Sequence, residues 1–171
     1  HKENRCVPLN FAFLNREKYA RQRMTGRYGC DVYQVIGEQV DSMRYEQLCR
    51  FVEESTQWFE EKYGEKYLCN RYGTATYPAF IFHNGNSSFN RYNMGFISAS
   101  QEKFATYPDI YPIIHEIGHR WMGEYTMFIN SGERGYAFII ETLNEFMTLM
   151  CIRDIVGAEV YEAILNSYRA N

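Results

Sequence analysis

The stretch IIHEIGHRWMG, residues 113–123, decides how this chain is read. On an α-helix, residues four apart share a face, about one turn along the axis. His115 and His119 can therefore aim two imidazoles at one point, with Glu116 on the adjacent flank. Zinc accepts imidazole nitrogen readily, and a catalytic zinc keeps three protein ligands and a water. The ion brings the pKa of that water to about 7, and a neighbouring carboxylate can take its proton. The pattern His-Glu-x-x-His thus supplies ligand, base and ligand within one helical turn. The competing reading is a chance spacing on a buried helix. Against it, the pattern uses two of only four histidines in the chain. It also falls on a segment that reads as a helix on other grounds. Pro108, Asp109 and Pro112 open it, because first-turn N–H groups have no intrahelical partner to lose. The helix is expected to run to about Met122.

A third ligand has to come from another element. YAFIIETLNEFMTLMCIRDIVG, 136–157, reads as a long apolar helix stopped by Gly157. It carries two acids four apart, Glu141 and Glu145, among Ile139, Ile140, Leu143, Phe146 and Leu149. Acids seldom enter such surroundings without a partner. One reading puts both on a thin solvated face. The other has one acid bind the metal while its neighbour orients a ligand.

The rest of the chain frames these two helices. TGRYGCDVYQVIG, 25–37, alternates and predicts a strand at about 28–36. MRYEQLCRFVEESTQWFEEKYG, 43–64, has Leu48, Phe51, Val52, Phe59 and Tyr63 at helical spacing, with Gly64 as the stop. AFIF, 79–82, and NMGFISAS, 93–100, predict strands separated by a polar turn at 83–88. AEVYEAILNSY, 158–168, predicts a final amphipathic helix, on which Tyr161 and Tyr168 read as packing residues. Residues 1–27 are polar and give no clear element. Strands first and helices after argue an α+β domain, a small N-terminal sheet followed by helices that carry the metal site. With 171 residues, the chain suits a single domain over 1–171.

Composition excludes several classes. A net charge of −3 with scattered basic residues does not suggest nucleic-acid binding. The densest basic stretch, Arg16 to Arg27, reads as a solvated face. No apolar run reaches the roughly 18 residues of a membrane span. Cys6, Cys30, Cys49, Cys69 and Cys151 include no CxxC pair; their odd number fits reduced thiols in a cytoplasmic protein, with a secreted protein holding one or two bridges as the alternative. The first residue is His1 rather than Met, as expected of a processed or excised piece.

With these residues in view, the chain resembles the catalytic domain of the zinc aminopeptidases of the aminopeptidase-N and leukotriene-A4-hydrolase type, gluzincins with a thermolysin-like fold. HEIGHRWMG resembles that family's HELAHQWFG, and ETLNEFMTLM resembles its acid-bearing helix. RYNMGFISAS resembles the strand written GAMENWGLITY, and RFVEESTQWFEEKYG resembles the helix before it. The likeness spans about residues 30–170. It implies His115 and His119 as zinc ligands, Glu116 as general base and Glu141 as third ligand, with Glu145 supporting from behind. Glu141 is preferred because 21 residues separate it from His119, against 25 for Glu145, and the family's spacing is the shorter. Asn93, Met94 and Gly95 would lie along an extended peptide or protein substrate and bind its backbone. Two features depart from the family. Aligned on Gly95, the glutamate that anchors a substrate's free amino terminus is replaced by Tyr92. The family's oxyanion-stabilising tyrosine lies well beyond the acid helix, and Tyr161 and Tyr168 fall too early to match it. The resemblance implies a Zn2+-dependent metallopeptidase, with exopeptidase action left open, and a catalytic domain that is a fragment of a longer protein. The alternative from a different class is a non-catalytic zinc-bearing domain that binds peptides or partner proteins.

Overall fold

The computed structural model describes residues 15–23, 31–39, 41–63, 79–83, 90–91, 96–100, 110–119, 121–122 and 134–170, in the sheet's second half (79–100) for backbone only. The order of elements is β1 (Tyr19–Arg23), β2 (Asp31–Val35), α1 (Ser42–Tyr63), β3 (Ala79–His83), β4 (Asn90–Arg91), β5 (Phe96–Ser100), α2 (Ile110–Gly118), α3 (Leu143–Ile155) and α4 (Ala158–Arg169). A π-helical turn, Phe138–Thr142, leads directly into α3. The expected α+β class holds: sheet first, then the helices with the histidines and acids.

The five strands run in the order β1-β2-β3-β5-β4. β1 pairs antiparallel with β2, in register from Tyr19 opposite Val35 to Arg23 opposite Asp31. β2–β3 and β3–β5 are parallel, and β4 returns antiparallel on the far edge of β5. A parallel pair needs a long crossover, and α1 provides it between β2 and β3. Asp41 caps α1, its carboxylate accepting from the backbone N–H groups of Met43 at 3.0 Å and Arg44 at 3.2 Å. The expected helix at 43–64 is thus found, starting one residue earlier. Gly64, its expected stop, lies outside the described residues, as do most of the turn at 83–88 and the start of the strand expected at 93–100. β1 was not foreseen, because YARQR is mostly polar and exposed and owes its pairing to β2 rather than to a hydrophobic pattern.

The core lies where α1, α2 and α3 meet over the sheet. Val32 of β2, Leu48, Phe51, Val52 and Phe59 of α1, Ile113, Ile114 and Ile117 of α2, and Met147, Cys151 and Ile152 of α3 form one buried cluster. Each large side chain here contributes about 1.5–3 kcal/mol by leaving water. Trp121, just past α2, stacks on Phe59 with ring centroids 4.9 Å apart. Trp58 donates to the Asp154 carboxylate at 2.9 Å, which ties α1 to α3. Of the polar groups inside, Ser55 and Thr56 donate to the carbonyls of Phe51 and Val52 one turn back, whereas Thr148 Oγ1 and Asn144 Oδ1 meet no hydrogen-bond partner among the described residues.

Two helix boundaries differ from expectation. α2 stops at Gly118 rather than near Met122, because the ladder tightens there: Trp121 N–H bonds to Gly118 O, three residues back. The segment at 136–157 is not one uninterrupted α-helix, since residues 138–142 form the wider π turn.

Gly118 marks the tightest point of the packing. A Cβ there would overlap Asn144 Oδ1 and lie 2.9 Å from Phe59 Cζ, both fixed inside the core. Gly to Ala inside a helix ordinarily stabilises by about 0.5–1 kcal/mol. Here overpacking should reverse the sign, so Gly118→Ala is expected to destabilise the fold by roughly 1–3 kcal/mol in chemical denaturation. An unchanged or raised midpoint would show that the three helices have room to separate.

Candidate metal centre

α2 presents His115 inside its last turn and His119 just beyond its end. His119 N–H still bonds to His115 O at 3.2 Å, so the helical offset between the rings persists past the formal end. Their centroids are 4.6 Å apart with the planes at 88°. Both side chains are nearly buried.

The π turn brings Glu141 to them. Leu143 N–H bonds to Phe138 O, five residues back, which widens the turn that carries the glutamate. Such turns occur often at functional sites because they change the direction of one side chain without ending the helix. Glu141 Oε2 lies 3.3 Å from His115 Nε2 and 3.6 Å from His119 Nε2. One donor atom from each of the three residues falls within 4.8 Å of the others. For a tetrahedral zinc with bonds of about 2.0–2.1 Å, neighbouring ligand atoms sit ~3.3 Å apart, close to the two separations observed here. The ligand types and these two separations suit a zinc ion.

What stands behind the histidines fits as well. His119 Nδ1 is 3.1 Å from the carbonyl oxygen of Met122. Donating there places the ring proton on Nδ1 and leaves the Nε2 lone pair facing Glu141. This is how metal-binding histidines are usually oriented. The early end of α2 makes the contact, since the tightened turn carries the Met122 carbonyl back to His119. His115 Nδ1 lies 3.1 Å from Glu145 Oε2, an ion-pair distance without hydrogen-bond alignment. Burial and the neighbouring His119 push His115 down to about 4, against the opposing pull of Glu141. At neutral pH the imidazole is uncharged, the form that can ligate a metal.

The structure thus brings together four of the residues singled out in the sequence: His115, His119, Glu141 and Glu145. Glu116 follows His115 on α2 and is partly buried. Glu141 is exposed, with 60% of its side chain accessible, so it stands on the solvated face of its helix and still reaches the histidines. Of the two readings weighed for the acids, the solvated face holds for Glu141, which also lies beside both histidines. Asn93, Met94 and Gly95 lie outside the described residues.

Two residues went unnoticed in the sequence. Asn144 is completely buried on α3 and donates through Nδ2 to the His115 carbonyl oxygen at 2.8 Å. Its signal was a lone amide in an otherwise apolar helical stretch. Tyr168, read as a packing residue, is half-exposed and donates to Glu145 Oε1. Nothing local to the last helix announces that bond. Comparison of the chain with protein-family models finds no match, and neither does comparison with curated proteins.

Asn144 is the one direct hydrogen bond between the backbone of the histidine helix and the acid helix among those described. Asn144→Ala should cost about 1–3 kcal/mol, from the lost bond and the space left behind. Denaturation of the metal-free protein measures it, and a loss below a few tenths would mean that the helices hold their register without the amide.

Proposed function

We propose that this chain is a zinc-dependent metallopeptidase domain of thermolysin-like build. The observation that supports it best is the convergence of His115 Nε2 and His119 Nε2 on Glu141 Oε2, at 3.3 and 3.6 Å, with His119 Nδ1 held by the Met122 carbonyl. His115, His119 and Glu141 would hold the ion. When bound, zinc supplies Lewis acidity and a water acidified to a pKa of about 7. Glu116, directly after His115 on α2, would serve as the general base toward that water and as the proton donor to the leaving amine. Glu145, whose Oε2 stands 3.1 Å from His115 Nδ1, would help to hold that ring in a ligating orientation.

A peptide substrate is favoured over a small molecule by the sheet. β4 forms its edge beside α2, and among the described residues no strand pairs with β4's outer side. An extended chain could add there by backbone hydrogen bonds and so lie alongside the histidine helix. Among the described residues no helix is long and apolar enough to cross a membrane.

Elemental analysis of the purified protein should give about one zinc per chain. Glu116→Gln should keep that zinc and lower peptide cleavage by roughly two to four orders of magnitude. Cleavage that survives the substitution would remove Glu116 from the mechanism. Zinc without cleavage in the unaltered protein would favour a peptide-binding domain instead.

The ligand choice has its own test. Glu141→Ala should empty the site of zinc under conditions where Glu145→Ala retains a substantial fraction, read by metal content after dialysis. The reverse order would exchange the roles of the two acids.

A further inference from the structure

Helix α4 reaches the residue behind the metal centre through the Tyr168 hydroxyl. Tyr168 OH donates to Glu145 Oε1, while the other oxygen of that carboxylate, Oε2, faces His115 Nδ1 at 3.1 Å. The Tyr111 hydroxyl of α2 lies 3.1 Å from the Tyr168 hydroxyl. Tyr168 has a single phenolic proton, and the carboxylate is the stronger acceptor. The Tyr111 O–H therefore donates to the Tyr168 oxygen. The result is a relay, Tyr111 to Tyr168 to Glu145, that ends against His115. Tyr111 also stands one turn before His115 on the same helix, its ring centroid 6.1 Å from the imidazole.

We propose that Tyr168 is a positioning residue for the metal centre: it fixes the Glu145 carboxylate from α4 so that Oε2 is presented to His115, and thereby strengthens metal binding by a site it does not touch. This rests on the zinc reading above. A glutamate side chain has three torsions and loses much of its freedom when held. Left unanchored, a one-third-exposed Glu145 would turn to solvent for much of the time. A hydrogen bond on Oε1 removes that freedom and leaves Oε2 for the imidazole. Burial, with the Glu145 carboxylate adding to it, pushes the Tyr168 phenol up to about 12. The phenol therefore keeps its proton and acts as a donor throughout the neutral range. Hydrogen bonds in series also strengthen one another. Outer partners of metal-binding histidines typically contribute 10–100-fold in affinity.

The test is zinc affinity of the full chain, by competition with a chromogenic chelator, for the unaltered protein, Tyr168→Phe, Glu145→Gln and the double variant, with Tyr161→Phe as a control on the same helix. Thermal denaturation of each metal-free protein is measured alongside. Tyr168→Phe keeps the ring and loses only the hydroxyl. It should weaken zinc binding by about 10-fold, with the metal-free melting temperature little changed. In the Glu145→Gln background the same change should have little further effect, and Tyr161→Phe should have none. An unchanged affinity in Tyr168→Phe overturns the proposal, as does an undiminished loss in the Glu145→Gln background. A lowered metal-free melting temperature with unaltered affinity would make Tyr168 a structural residue and overturn it too. Zinc binding by the unaltered protein in any of these cases leaves the metallopeptidase reading standing. Failure of the unaltered protein to bind zinc at all overturns both.

Discussion

Where α2 crosses α3, two helices meet so closely that one of them must lack a side chain, and the positions of all the site residues follow from that contact. Gly118 gives α3 room to approach, and Asn144 fills the space and bonds to the His115 carbonyl. The amide is buried, three residues after Glu141 and directly before Glu145. It therefore sets the axial register between the helix that offers histidines and the helix that offers carboxylates. Phe59 closes the same point from α1, so the third helix of the core is committed to the contact as well. A shift of one residue between α2 and α3 would move Glu141 along the axis by about 1.5 Å, enough to take it out of its close approach to the two histidines.

Around that anchor the site is built in layers of decreasing constraint. The histidines are nearly buried, and their inner nitrogens face one exposed carboxylate. Outside them stand the Met122 carbonyl and Glu145, and outside Glu145 stand Tyr168 and Tyr111. The layers draw on separate parts of the chain: α2 and the turn after it, the first turn of α3, and the far end of α4. Such an arrangement keeps both imidazoles largely out of water, while it leaves Glu141 on the open side. The mixed sheet contributes by position, with its edge strand β4 lying beside the histidine helix.

Much of the candidate site was legible because its signals are local. Residues four apart on a helix share a face whatever the rest of the fold does, so the pairs His115 with His119 and Glu141 with Glu145 could be placed from spacing alone. The core positions of α1 followed in the same way from Leu48, Phe51, Val52 and Phe59. Harder to see was anything that depends on a neighbour. YARQR forms a strand because β2 offers a partner, not because it alternates. The π turn at 138–142 replaces an ordinary turn with no Pro or Gly inside it to announce the change.

The sequence by itself determined that two imidazoles would share one helical face, that a paired-acid helix would follow, and that the chain had the hydrophobic pattern for an α+β core. These are matters of periodicity, and periodicity acts within a few residues. Only the tertiary structure decided which oxygen meets which nitrogen. Glu141 rather than Glu145 lies at Nε2 because the π turn redirects it, and His119 keeps its Nδ1 proton toward Met122 because α2 ends in a tight turn. Tyr168 reaches Glu145 across 23 residues of sequence because α3 and α4 fold back on each other at Gly157, whose φ of 133° few other residues adopt. Distances of this kind are set by packing between elements, and a linear pattern carries no record of them.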